Sequence, residues 1–339
     1  IIGIYKRKVE PTNRIIDFLA YVSFFPQLVA GPIERAAHFL PQFHSEKVFS
    51  YKNCQTGLLL IAFGLFKKIV IADRLAVFVN GVYGDIPSAG GVSLLVAVLF
   101  FAFQLYFDFS AYSDIAIGSA RLLGFELMTN FRRPYLSKSF SEFWTRWHIS
   151  LSSWFRDYVY FPLGGSRKGT RRTMINVMIV FLLSGLWHGA SWNFVIWGGF
   201  NGLFLIIFDR IFKLEQPGNI KKYLAPVFIF CSWAVSLIFF RAQTFADALS
   251  VFTNAGLSGS DVLYDFGLKA SEFKFTFFLL AAFLLYELLA EKKGEKLAGW
   301  FYNKPGFIRW SVYLLIVLTI IYLGAYGSSN DNTFIYFQF

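Results

Sequence analysis

Charged residues and cysteines are both scarce in this chain of 339 residues. Only 16% of its residues are charged and 56% are hydrophobic, whereas an average soluble domain has about 25% charged residues. A soluble domain of this composition would lack the polar surface to cover its core, so we expect the chain to lie in a lipid bilayer. The net charge of +11 comes from short basic clusters between apolar runs, which is typical of membrane loops and argues against a nucleic-acid partner.

The two cysteines, Cys54 and Cys231, form neither a CxxC pair nor a Cys/His metal spacing, so we expect no metal site. The sequence also lacks a GxSxG elbow, a phosphate-binding P-loop, an HExxH pair and a Rossmann glycine pattern. These absences give no support to serine hydrolases, nucleotide-driven pumps or zinc proteases.

Long apolar segments, separated by short polar stretches, predict an all-α, polytopic membrane helix bundle. The segments are residues 15–30, 57–83, 91–107, 110–123, 174–212, 223–240, 273–290 and 308–326. The first is short and contains Pro26, so we interpret it as a re-entrant or buried helix. Residues 1–5 are apolar and are followed by three basic residues, which resembles the end of a further span. We therefore expect N-terminal spans to precede this chain.

The run at residues 174–212 is too long for one crossing, since about 20 residues span the hydrocarbon core. Basic residues flank both ends, and the positive-inside rule then places both ends on the cytoplasmic side, as in a helical hairpin. Gly185 and Gly189 allow a break near the middle. His188 would lie at that turn, deep in the membrane, where a neutral imidazole can take a proton from a hydroxyl group. A core histidine hydrogen-bonded to a backbone carbonyl explains the position equally well.

Residues 132–172 contain nine lysines and arginines against two acidic residues, so we expect this stretch to face the cytoplasm. Aromatic residues at positions 140–158 recur at helical spacing and predict one amphipathic helix at the membrane interface. His148 lies at the edge of its apolar face, and on this pattern alone an interfacial anchor is the simpler interpretation. The other two histidines, His38 and His44, are expected to be solvated.

Polar side chains also occur close to membrane depth in residues 104–125. Ser110 and Asp114 are four positions apart and share a helix face with each other. Together with Asp108 they are candidates to line a polar tunnel or to orient a histidine. Roles as helix caps, or as partners of a basic residue such as Arg121, explain them equally well.

Four stretches of sequence together resemble one protein family. They are FFPQLVAGPIER (24–35), QLYFDFSAYSDIAIGSARLLGF (104–125), NFRRPYLSKSFSEFWTRWHISLSSWFRDYVYFPLGG (130–165) and SGLWHGASWNFVIWG (184–198). In this order, over nearly the whole chain, they resemble the membrane-bound O-acyltransferases, and within them the members that acetylate exopolysaccharides such as alginate. The resemblance implies a single family domain over residues 1–339, with re-entrant and amphipathic helices around a central tunnel. It also implies a multi-pass location in the cell inner membrane.

The same resemblance implies a reaction. An acyl group, expected to be acetyl, would move from a cytoplasmic thioester, either acetyl-CoA or an acyl carrier, to a hydroxyl of an exported polysaccharide. The group would reach the hydroxyl directly or through an extracytoplasmic partner protein. Membrane lipid surrounds the enzyme, and no bound cofactor is expected. The invariant histidine of the family falls on His188, which becomes the expected general base, and a second motif residue falls on His148, which would position or polarise the thioester. Some relatives have a further histidine where this chain has Asn201, so no role is carried over there. The substrate contacts we expect are Trp187, Asp108, Ser110, Asp114, Trp144 and Asn193.

Other functions fit the sequence as well. The transferred group could be D-alanyl or another acyl group, and the acceptor a cell-wall polymer. A transporter without acyl chemistry would use Asp108 and Asp114 as ion or proton sites. A non-catalytic scaffold for polysaccharide export would need neither histidine.

Overall fold

The computed structural model describes residues 2–7, 9–211, 221–256, 263, 266–326 and 334. Within these residues the chain is helical and contains no strand. The α-helices are α1 (Ile2–Tyr5), α2 (Ile15–Val22), α3 (Ala36–Phe39), α4 (Tyr51–Leu65), α5 (Asp73–Gly84), α6 (Gly91–Leu122), α7 (Phe140–Arg146), α8 (Ile149–Phe155), α9 (Thr170–His188), α10 (Trp192–Phe204), α11 (Lys221–Arg241), α12 (Phe245–Asn254), α13 (Ala270–Tyr302) and α14 (Gly306–Leu323). Wider π-helical turns follow α4, α8 and α10, at Phe66–Ala72, Arg156–Tyr160 and Leu205–Ile211.

Six helical stretches of the described chain are long and apolar enough to cross a membrane. They are Tyr51–Gly84, Gly91–Leu122, Trp192–Asp209, Leu224–Arg241, Ala270–Gly294 and Gly306–Leu323. The prediction of an all-α, multi-pass membrane bundle is therefore confirmed.

Helix α6 is the central element of the bundle, and it differs from the prediction. Two segments were expected, at residues 91–107 and 110–123, but α6 is one unbroken helix of 32 residues. It packs closely on α4, because a Cβ at Gly57 would lie 2.8 Å from the Gly118 carbonyl oxygen. The polar residues near its middle do not break it, since buried lysines of the neighbouring π-helical turn neutralise them.

The predicted hairpin is present as α9 and α10, joined by a turn of three residues. Only the α10 side qualifies as a candidate span by length and hydropathy. Helix α9 continues through Gly185, which allows α9 and α10 to pack closely. A Cβ at Gly185 would lie 3.2 Å from the Cα of Val195 in α10. The break falls after His188, with Gly189 as the first residue beyond the helix.

The predicted single amphipathic helix at residues 140–158 is wrong. The chain forms two short helices, α7 and α8, with a bend at Trp147 and His148. His148 has φ of 42°, in the left-handed region, so the helix cannot continue through it. Helical spacing of the aromatic residues continues across the bend, which is why the pattern gave no sign of it.

The segment at residues 15–30 was expected to be re-entrant or buried. It consists of α2 and a 3₁₀ turn at Phe25–Gln27. The apolar side chains of α2 are largely exposed on the described protein, with Ile15 and Ile16 both at 72%. The expected burial is therefore not found, while the position of this segment in the membrane stays a prediction.

Candidate active site

His188 is the last residue of α9, and aromatic side chains surround its ring. The centroid of its imidazole lies 5.0 Å from that of Trp187, 5.1 Å from Trp197 and 5.4 Å from Phe240, each in an edge-to-face arrangement. Trp197 belongs to α10 and Phe240 to α11, so three helices fix the position of the ring. Such contacts hold an aromatic ring while its nitrogen atoms stay available for hydrogen bonds.

His148 lies at the bend between α7 and α8 and is buried, with 4% of its surface exposed. Its centroid lies 4.6 Å from that of Phe109, edge to face, and 6.4 Å from Phe131. The left-handed backbone of a residue other than glycine costs roughly 1–3 kcal/mol. Strain of this size persists only where neighbouring contacts fix the conformation.

Asn130 supplies the contacts that fix this bend. Its backbone carbonyl accepts a hydrogen bond from Ile149 N at 2.9 Å. Its side-chain oxygen accepts from Ser150 N at 3.3 Å and from Ser150 Oγ at 3.0 Å. Sequence reasoning assigned Asn130 no role, although it is the first residue of one of the family-like stretches.

The two histidines line one cavity of about 370 Å³. Its volume falls within the range of small-molecule sites, roughly 300–1,000 Å³. Trp144, a predicted substrate contact, lines it as well. Most of its remaining wall is apolar, formed by residues such as Leu105, Phe109, Val177, Phe181, Leu205, Trp233 and Phe240. The expectation that His148 and His188 face a common cavity is met.

Several polar atoms of this cavity have no protein partner among the described residues. Neither imidazole ring has a hydrogen-bond partner among the described residues. The indole N–H of Trp197, in the same wall, is also buried and unpaired. His148 lies outside the six candidate spans, and burial lowers its pKa well below the ordinary value, with a further lowering from His188. Its ring is therefore neutral at neutral pH, with one nitrogen that donates and one that accepts.

A second cavity of about 280 Å³ meets the first at His148 and Phe109, which line both. Trp187, another predicted substrate contact and the neighbour of His188 in the chain, lines this second cavity. Much of the remaining wall comes from the segment between Tyr21 and Glu34. His148 thus lines both cavities, whereas His188 lines only the first.

Asp108, Ser110 and Asp114 lie apart from both cavities, in contact with buried lysines of the π-helical turn. Lys68 Nζ lies 2.6 Å from Asp108 Oδ1 and 2.8 Å from Asp73 Oδ1. Lys67 Nζ lies 2.7 Å from Asp114 Oδ2 and donates to Ser110 Oγ at 2.8 Å. The structure does not bring these three predicted substrate contacts together with the histidines. Their alternative interpretation, as partners of basic residues, agrees with these contacts.

Asn193, the remaining predicted contact, lines neither cavity. Its side-chain amide donates to the Ala242 carbonyl at 3.0 Å, which ties the start of α10 to the end of α11. In the described part of the chain, no group of three or more His, Cys, Asp or Glu side chains is arranged to hold a metal ion.

Comparison with known proteins supplies independent information. The family model described as MBOAT, membrane-bound O-acyltransferase family, matches residues 11–251. The chain is 35% identical to a probable alginate O-acetylase of Pseudomonas putida, over 100% of this chain and 72% of the relative. It is 37% identical to a peptidoglycan O-acetyltransferase of Helicobacter pylori, over 77% of this chain and 50% of the relative. It is 32% identical to a teichoic acid D-alanyltransferase of Streptococcus thermophilus, over 60% of this chain and 52% of the relative. The chain thus spans only about half the length of the last two.

Proposed function

The chain belongs to the membrane-bound O-acyltransferase family, and from this premise we propose that it transfers an acyl group from a thioester to a hydroxyl of an exported polysaccharide or cell-wall polymer. The observation that carries the proposal is the cavity that His148 and His188 share. Two imidazoles whose nitrogens have no protein partner suit proton transfer at a hydroxyl group and hydrogen bonding to a carbonyl.

In the proposed reaction, His188 is the general base. Its unprotonated nitrogen takes the proton of the acceptor hydroxyl while the hydroxyl oxygen attacks the thioester carbonyl carbon. The C–S bond of the resulting tetrahedral intermediate then breaks, and the imidazolium returns its proton to the leaving thiolate. The products are an ester and a thiol, so the reaction needs no oxidant or reductant.

His148 has the complementary role in this proposal. Its neutral ring carries one N–H, which donates to the thioester carbonyl oxygen as negative charge develops there. The hydrogen bonds that Asn130 accepts from Ser150 fix the bend at His148, and the contact with Phe109 holds its ring, before substrate arrives. Such prior orientation is what makes a donor effective in stabilising a transition state.

For the donor we propose a thioester such as acetyl-CoA or an acyl carrier, which enters the apolar first cavity. For the acyl group we propose acetyl, as in the names of the alginate and peptidoglycan relatives. D-alanyl is the alternative that the teichoic acid relative suggests. An extracytoplasmic partner protein that receives or relays the acyl group is part of the same proposal.

A transporter is less well supported. It would need polar groups that bind an ion along a path through the bundle. Asp108 and Asp114, the expected ion sites, instead make short ion pairs with lysines. Neither of them lines the first or the second cavity.

The function is tested in cells by deleting the gene and measuring base-labile esters on the exported polymers. We expect the esters to be lost and to return with the wild-type gene, but not with His188→Gln. His44→Gln is the matched control, because this histidine is half-exposed and lines neither cavity. The acid released by mild base, acetate or D-alanine, identifies the acyl group. Ester levels that do not change on deletion would contradict the proposal.

A further inference from the structure

Helix α13 lines neither cavity and begins beyond residues 11–251, which the family model matches. Its side chains nevertheless contact the stretch of chain that carries His148. From these contacts we infer that Glu291, close to the end of the candidate span Ala270–Gly294, is a positioning residue for His148. This inference rests on the proposed function, because it assigns the support of a histidine that takes part in the same reaction.

Two stretches of chain, residues 130–133 and 146–150, are joined at the bend that carries His148. Before the bend, the backbone N–H of Arg132 donates to the Arg146 carbonyl at 2.9 Å. After the bend, the backbone N–H of Ile149 donates to the Asn130 carbonyl at 2.9 Å. The backbone of His148 lies between these two hydrogen bonds, so its position depends on how firmly the two stretches are held together.

One carboxylate of α13 binds both stretches. Glu291 Oε2 accepts a hydrogen bond from Arg133 Nε at 2.6 Å, and its Oε1 accepts from Arg146 Nη2 at 2.8 Å. The same Arg146 nitrogen donates to Glu142 Oε1 at 2.6 Å, within α7. Hydrogen bonds between charged partners are short and about twice as strong as neutral ones. Because each oxygen of Glu291 takes one arginine, this single side chain links the two stretches to each other and to α13.

The backbone of both stretches needs such support. Arg133 has φ of 47° and His148 has φ of 42°, so each stretch contains a residue other than glycine in the left-handed region. Conformations of this kind persist only where surrounding contacts fix them. Glu291 binds the side chain of the first of these residues directly. It holds the second through Arg146, which lies two positions before His148 in the chain.

A second glutamate of α13 contacts the same bend through a tyrosine. Glu287 lies four positions before Glu291, on the same face of the helix, and is buried. Its Oε1 accepts a hydrogen bond from the hydroxyl of Tyr106. The ring of Tyr106 packs against Phe131, with centroids 5.9 Å apart, and against Trp147, at 6.1 Å. These two rings come from the two stretches, so one face of α13 supports both of them at two levels.

The exposure of the ion pairs predicts how loss of Glu291 would appear in an experiment. The side chains of Arg133, Arg146 and Glu291 are between 20% and 36% exposed. Ion pairs at such positions contribute little to global stability. A reaction rate is far more sensitive to a small displacement of a hydrogen-bond donor. Loss of the carboxylate should therefore lower the rate of transfer while the protein stays folded.

The test measures acetyl transfer from acetyl-CoA to alginate oligosaccharides by the full-length protein in proteoliposomes. Glu291→Gln keeps the size of the side chain but leaves one acceptor oxygen, so it cannot bind both arginines. We expect kcat to fall about three- to tenfold, with a much smaller change in the KM for acetyl-CoA, because His148 acts on charge that develops in the transition state. Glu272→Gln is the matched control: Glu272 lies in the first turn of α13, where it accepts from the backbone N–H of Lys269. Its kcat should equal that of the wild type.

A double-mutant cycle with His148→Gln separates positioning from a general structural role. In the His148→Gln protein, adding Glu291→Gln should lower kcat little further, because the imidazole that Glu291 positions is already absent. The same fold loss of kcat in both backgrounds would show that Glu291 acts elsewhere and would overturn the inference. An unchanged kcat in Glu291→Gln, with an active wild-type protein, would overturn it as well and leave the proposed function intact.

Amide hydrogen exchange gives a second readout that needs no activity. The backbone N–H groups of Arg132 and Ile149 close the bend. They should exchange about two- to fivefold faster in Glu291→Gln, as loss of a partly exposed ion pair would allow, and at the wild-type rate in Glu272→Gln. Unchanged exchange in Glu291→Gln would overturn the inference. A wild-type protein that transfers no acetyl group to any hydroxyl would instead contradict the proposed function.

Discussion

The contact between α9 and α10 positions His188. Replacing Gly198 tests how strongly the position of His188 depends on the close packing of these two helices. A Cβ at Gly198 would meet the Phe181 carbonyl group, with the carbonyl carbon at 3.1 Å, and the Cα of Gly185 at 3.3 Å. Carbon atoms pack best at about 3.5–4.0 Å. The two backbones would therefore have to separate by roughly 0.5 Å or more in the Gly198→Ala variant.

The neighbouring Gly199 provides the control. A Cβ there would meet only Leu182 Cδ2, at 3.7 Å, which is an ordinary contact. Both substitutions gain up to about 1 kcal/mol of helix propensity, while overpacking at Gly198 costs about 1–3 kcal/mol. We expect Gly198→Ala to be less stable than Gly199→Ala by about 1–3 kcal/mol.

The effect on catalysis should be larger than the effect on stability. His188 lies three residues beyond Gly185, and Trp197, which contacts the imidazole, directly precedes Gly198. A misplacement of about 1 Å can lower a rate about 100-fold, so we expect acyl transfer by Gly198→Ala to fall about 10- to 100-fold. Thermal unfolding in detergent and acyl transfer in proteoliposomes measure the two quantities. Equal rates for Gly198→Ala and Gly199→Ala would refute this view of how the hairpin positions the ring.

Three further predictions concern the charges. Ser166→Cys should react with a membrane-impermeant thiol reagent from the cytoplasmic side, because its stretch is strongly basic; labelling only from outside would invert the topology. Lys68→Met should destabilise the protein by about 3–5 kcal/mol, since it removes the buried cation that forms ion pairs with Asp73 and Asp108, while Lys52→Met, at an exposed position, should have little effect on unfolding. The low pKa of His148 in the folded state means that unfolding takes up a proton below the ordinary imidazole pKa of about 6.5. Stability should therefore decrease as the pH falls below about 6.5, and it should decrease less steeply in His148→Gln. If the melting temperatures of both proteins had the same dependence on pH, His148 would make no such contribution.

Local patterns in the sequence were enough to predict the hairpin and the position of His188. An apolar run too long for one crossing, with basic residues at both ends, has few alternatives in a membrane. The bend at His148 was missed for a physical reason. Periodicity records which residues face inward, and here residues of both short helices, such as Trp144 and Phe155, line the same cavity.

Interactions between distant residues account for most of what the sequence could not predict. The role of Asn130 depends on Ser150, twenty positions away, and Asp108 pairs with Lys68 of a different helix. Neither pairing leaves a periodic signal in the chain.

The role of His188 as general base is tested most directly by the rate of acyl transfer with purified full-length protein in proteoliposomes. We expect His188→Ala to lower transfer from acetyl-CoA to a hydroxyl acceptor by about 100-fold or more, as loss of a general base does. The variant should still insert, purify as a single species and unfold cooperatively, and His44→Ala should transfer acyl groups at the wild-type rate. A folded His188→Ala protein that keeps near-wild-type transfer would contradict the proposed mechanism.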